Sequence, residues 1–321
     1  MKFRPALACV VSALALAGCA SSTVAPTDPS KLANVSDGNC ATFAQKGLLN
    51  AAVPSQPADP LALANRAAHR AANSTRNTAP NSAAESEAGG DGEAESDATS
   101  LPLLAELPLF SAFASPAGPT ASPTGWQPWK VNRNKTPTRY SLTEVDQRTV
   151  LHAEADGSAS GLYVPLEQRD PGMLRWMWKT RDVIRVADNA VSHREDAPLR
   201  IFVAFDGDRS TLSLKDQLMY EMARITTGRE MPYATLMYIW GGKRPVGSVL
   251  NNPHTDRVRM IIVDSGTRHT NEWRCHERDL RADYRKAFGA DPGKILAVGL
   301  MTDTDNTKSR AEAWYGDIAL D

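Results

Sequence analysis

The chain has 321 residues, near two ordinary domains' worth by length alone, and a formal net charge of −1. That balance excludes a nucleic-acid polycation and an acidic solvating tail, and the lack of any apolar run of about 18 residues beyond the extreme N-terminus excludes an internal membrane-spanning helix. The averages hide a split, because all seven Trp and all seven Tyr follow residue 125.

Lys2 and Arg4 open the chain, and residues 6–16 form an apolar run too short to span a bilayer, which is the anatomy of a secretory signal. The run ends Leu16-Ala17-Gly18-Cys19, which resembles the lipobox of bacterial lipoproteins. The resemblance implies removal of residues 1–18, diacylation of the Cys19 thiol and acylation of the new N-terminus. Small Ala17 and Gly18 admit a peptidase, and a thiol is a strong nucleophile for alkylation. More than one acyl chain gives stable anchoring, at about 0.8 kcal/mol per buried CH2. Ala20, where Asp would resemble an inner-membrane retention signal, implies the outer membrane, with the protein facing the periplasm. The expected partners are therefore the membrane, through the anchor, and a glycan or protein of the envelope; no nucleic acid is expected.

Residues 19–125 are rich in Ala, Ser, Pro, Asn and Thr, and carry five basic and ten acidic side chains. So little aromatic surface cannot offset chain entropy, and the segment reads as a disordered tether. Within it, residues 61–72 could form a short helix. Residues 101–113 are apolar, and read either as a docking segment, for this domain or a partner, or as a hydrophobic accident in a linker. Cys40 in this segment and Cys275 beyond it survive signal removal; an oxidising compartment allows them to pair, but spacing alone leaves that open.

Residues 126–321 read as one domain with ample core. Strands are expected at 148–154 and 161–166, flanking the turn Asp156-Gly157-Ser158. Further strands fall at 174–178, 200–205, 235–240, 257–263, 294–301 and 313–320. Leu214, Leu218, Met222 and Ile225 recur at helical spacing, as do Leu280, Tyr284 and Phe288, before a Gly289 suited to a left-handed stop. Many short strands and two short helices predict an all-β dominated, antiparallel, jelly-roll-like β-sandwich.

Several segments, in order, carry a resemblance. They include Trp176-Met177-Trp178, Phe205-Asp206-Gly207-Asp208, Tyr238-Ile239-Trp240-Gly241, Met260-Ile261-Ile262-Val263 and Met301-Thr302-Asp303-Thr304-Asp305-Asn306-Thr307. Asp283-Tyr284, Phe288-Gly289 and Tyr315-Gly316-Asp317-Ile318 complete the set. Together they resemble a family of exported bacterial proteins known as domain of unknown function 3047, which implies no activity but a shape like the carbohydrate-binding jelly rolls.

Three sets of side chains are candidates for function. Trp176, Trp178 and Trp240 could stack on sugar rings from a sheet face, with Arg175 and Arg259 as polar partners; the competing reading places the Trp in the core. Asp303, Asp305 and Asn306, with Asp317 if its strand pairs nearby, supply hard oxygen ligands for calcium, against the reading of an Asx-rich turn. A lyase-like set of Arg175, Tyr163, Tyr238, Arg259 and His254 has the residue types for uronate chemistry but no telling spacing. His276-Glu277 begins like a zinc-protease helix but has Leu280 where a second His is needed, and Gly157-Ser158-Ala159-Ser160-Gly161 lacks a nucleophile at its centre. The leading expectation is an envelope lipoprotein that binds a glycan or another envelope component. The alternatives are a glycan-active enzyme and a module that docks a partner through residues 101–113.

Overall fold

The computed structural model describes Cys40 and residues 102–113, 123–131, 134–227 and 230–321, all within one unit, Asn34–Asp321. The signal, Cys19, residues 61–72 and most of the expected tether lie outside the described residues.

Two sheets pack face to face. The larger contains β1 (Gln127–Lys130), β4 (Ala159–Arg169), β6 (Ala197–Phe205), β7 (Ala234–Gly241), β8 (Val249–Asn251), β9 (Val258–Ser265) and β11 (Ile295–Asp303), in the order β1-β4-β11-β6-β7-β9-β8. The smaller contains β2 (Arg139–Val145), β3 (Arg148–Asp156), β5 (Met173–Thr180), β10 (Arg274–Asp279) and β12 (Arg310–Leu320), in the order β10-β5-β12-β3-β2. Every ladder is antiparallel except β7–β9, which is parallel because the chain between them crosses over and returns through β8.

Alternation builds the core. In β5, Leu174, Trp176, Trp178 and Thr180 point into the sandwich while Arg175 and Lys179 are partly exposed on the other side. Opposite them stand Tyr238 and Trp240 of β7 and Ile261 and Val263 of β9. Gly299 of β11 is required by close approach, since a Cβ there would lie 2.1 Å from the Phe202 ring.

Helix α1 (Leu214–Thr227) and helix α2 (Leu280–Phe288) are the two α-helices among the described residues. The second begins directly after β10, which Arg278 and Asp279 complete. The Asp279 carboxylate then accepts from the N–H groups of Arg281 (2.9 Å) and Ala282 (3.0 Å) as N-cap. Gly289 ends it at φ +72°.

Residues 102–113 pack on this domain. Leu104 bridges Leu166, Phe110 is fully buried and stacks on Trp126 at 4.9 Å, and the Ser111 N–H donates to Asp317 at 2.9 Å. Leu107 and Phe110 thus join the domain's core, with Leu104 and Phe113 packed against it, while Leu103 is left exposed. Cys40 and Cys275 form a disulfide, with Cα atoms 5.4 Å apart, which covers Met177 on the outer face of β5.

Candidate functional site

The structure removes the expected Trp platform. Trp176 and Trp178 are fully buried and Trp240 is 1% exposed. They belong to an inner aromatic layer with Tyr238 and His276, in which Trp176 lies 4.9 Å from both and 5.5 Å from Trp178. Their faces are closed to a ligand because the opposing sheet occupies them. His276 sits on a strand, with its Nε2 2.7 Å from Asp264, which accounts for it without a metal-binding helix.

The lyase-like set does not converge either. Tyr238 is in the core with its hydroxyl donating to Asp283 at 2.8 Å, whereas Arg175 lies on the outer face of the smaller sheet, ion-paired to Glu277 (2.7 Å) and Asp321. Arg259 is on β9 in the larger sheet, with Nη1 3.5 Å from Asp256 and its guanidinium 5.6 Å from the Phe288 ring centre.

The Asp303 loop has a different arrangement from the one expected. Asp303 and Asp305 do meet a third carboxylate, but it is Asp196, with one oxygen of each within 4.8 Å of the others. Asp317 stands apart on β12, held by Ser111. Asn306 donates its backbone N–H to Asp196 (3.1 Å) and its side-chain amide to Ser192 O (2.9 Å). Two of the three carboxylates are already paired with cations, and the third is held by neutral donors. Arg200 donates to Asp303 at 2.7 and 3.0 Å, Lys135 pairs with Asp305, and Asp196 accepts from Thr307 N at 2.7 Å. Burial pushes the Asp303 carboxyl up to about 6 against the pull of Arg200, with Asp196 and Glu195 adding to the rise. Asp196 was not singled out from sequence, because 107 residues separate it from Asp303 and only the strand pairing brings β6 and β11 together.

Beside this loop, a groove of about 600 Å³ opens on the outer face and end of the smaller sheet. Its floor is the row Arg139, Glu154 and Glu312, cross-strand neighbours on β2, β3 and β12. Arg181, Asp182, Asp156, Arg310, Thr136 and Ser158 form its walls. Glu312 accepts from His152 (3.0 Å) and Arg181, and Arg310 pairs with Asp156 at 3.0 Å. One residue row further along the same face stands a ladder of rings. His152 stacks on Trp314 (5.2 Å, 13°), and the Lys179 ammonium lies 5.2 Å from the Trp314 ring centre and 5.5 Å from that of Trp273. Trp273 in turn donates to Asp146 at 3.1 Å. Trp314 and Trp273 are partly exposed, unlike the three Trp of the core.

Chemically, the groove offers planar guanidinium and carboxylate groups in alternation, beside partly exposed aromatic rings. Such a surface gives paired donors and acceptors to vicinal hydroxyls and an apolar edge to C–H groups.

The fold is a two-sheet β-sandwich with a polar groove on one sheet. The chain belongs to the family of proteins of unknown function DUF3047, whose model matches residues 124–319. No curated protein matches it. Among solved structures it is similar to the K2 cleaved adhesin domain of Lys-gingipain, at 9% identity and a TM-score of 0.32, over 66% of this chain and 95% of that one.

Proposed function

We propose that this protein is a non-catalytic glycan-binding module of the bacterial envelope, carried on a lipid anchor at Cys19 in the outer membrane and facing the periplasm. The observation that carries the binding reading is the groove of about 600 Å³, lined by paired guanidiniums and carboxylates and flanked by Trp314. Polyhydroxylated ligands suit it better than a purely apolar or purely ionic one. The Arg–carboxylate pairs fix hydroxyls in orientation, and three guanidiniums against four carboxylates leave the groove little net charge to select an ionic ligand. The anchor rests on the Leu16–Cys19 sequence.

The test is a glycan array probed with the mature chain and with Trp314→Ala and Glu312→Gln. Binding by the mature chain that drops about tenfold in either variant supports the reading, on the scale of one lost charged hydrogen bond or aromatic contact. Array binding that neither variant alters would remove the groove as its site.

A further inference from the structure

Helix α1 turns its apolar stripe outward. Leu214, Leu218, Met222 and Ile225 recur at intervals of four, four and three, so they share one face. An amphipathic helix on a globular domain normally buries such a stripe. Here the four are 72%, 59%, 59% and 68% exposed. The domain is met instead by Tyr220, which is buried and whose hydroxyl donates to the carbonyls of Pro232 (2.7 Å) and Tyr233 (3.0 Å). Single exposed apolar residues are ordinary, but a row of four along one helix is an apolar patch that water alone covers poorly.

We propose that α1 is a lipid-contacting helix that lies in the surface of the bilayer to which Cys19 tethers the chain. The proposal rests on the lipid anchor of the preceding section. The length of chain between anchor and domain selects the bilayer as occupant. The disulfide ties Cys40 to the domain, so only 20 residues lie between Cys19 and a fixed point. That leash spans at most about 70–75 Å even when fully extended. Without the disulfide the first packed residue would be near Leu104, four times further along the chain. A short leash raises the effective concentration of lipid at the domain. The helix has no net charge, since Lys215 and Arg224 balance Asp216 and Glu221, so its contact with lipid would rest on the apolar stripe, with the Lys215 stem lying along it. Acyl chains and an apolar helix would then act as two membrane signals on one molecule.

The test uses residues 20–321, the mature chain less its acylated Cys19, sedimented with vesicles of phosphatidylethanolamine and phosphatidylglycerol. The expected result is co-sedimentation that falls at least tenfold in Leu218→Glu and in Ile225→Glu, with melting temperatures unchanged because both side chains face solvent. No vesicle binding by the unacylated chain, or binding kept in both variants, would overturn the proposal. So would a concentration-dependent dimer in light scattering that Leu218→Glu abolishes, which would put a second copy on the stripe. Mass spectrometry of the cellular N-terminus reads the anchor separately: an unacylated terminus with vesicle binding intact removes the anchor and keeps the helix.

Discussion

The indole N–H of Trp178 on β5 donates to the Asp264 carboxylate on β9 at 2.8 Å, a buried hydrogen bond between the two sheets. Asp264 also accepts from Arg274 (3.0 Å) and sits 2.7 Å from His276 Nε2, which surrounds a buried charge with partners. Burial alone would raise this carboxyl. The charge and hydrogen bond of His276, the Trp178 N–H and Arg274 outweigh it and hold the carboxyl below the usual range.

The pH dependence follows from that depression. Near pH 4 the unfolded carboxyl binds more protons than the folded one, so folding stability rises with pH there. The contribution of Asp264 is fully present above its unfolded value and is lost as pH falls through its folded one. Urea denaturation of the mature chain between pH 3 and 6 should show this loss, and Asp264→Asn should flatten the slope below about pH 4. The same substitution should cost about 3 kcal/mol at neutral pH, since it removes the carboxylate from a buried ion pair with Arg274.

Arg200 and Asp303 form a second buried pair, in which the guanidinium also reaches Glu195 O at 2.8 Å. Replacing Arg200 leaves Asp303 and Glu195 buried without their cation, whereas replacing Asp303 leaves Arg200 its Glu195 partner, so Arg200→Met is expected to cost about 3–5 kcal/mol in chemical denaturation and Asp303→Asn less. The double variant should cost clearly less than the sum, because the two act as one unit.

Calcium bears on the same loop. Lys135 and Arg200 already neutralise Asp305 and Asp303, and a divalent ion would have to displace both. Added calcium and a chelator are therefore expected to leave the melting temperature unchanged. A rise of several degrees with calcium would show that the cation wins the carboxylates.

Cys40–Cys275 closes a loop across 235 positions. Cross-links of that span constrain the unfolded chain most, so reduction or Cys275→Ser should lower stability by about 2–5 kcal/mol. Thermal melts with and without reductant measure it, and thiol titration of the oxidised mature chain should find neither cysteine free.

The sandwich was legible in the sequence because its strands alternate or run continuously apolar between turns. The misplaced Trp platform was legible too, in the wrong residues. Trp176 and Trp178 do share a face, but Arg175 and Lys179 share the other, and long charged side chains mark the solvent side. Read that way, β5 assigns its Trp to the core. Trp314 sits between Ala313 and Tyr315, which are buried, and this alternation places it outside. The short strands β1 and β8 carried too few residues for a period to show, and β2 and β10 were masked by their polar and charged side chains. The groove itself needed the fold, since Arg139, Glu154 and Glu312 become neighbours only through strand pairing. The outward stripe of α1 was read correctly as helical, but spacing says nothing about which way such a face turns.

Hydrogen exchange of the mature chain, with and without a glycan drawn from the array, tests the account most directly. The prediction is slowed exchange at residues 152–156 and 310–314, where β3 and β12 line the groove. Protection confined to the outer face of the larger sheet, around Trp129 and Phe202, would contradict it.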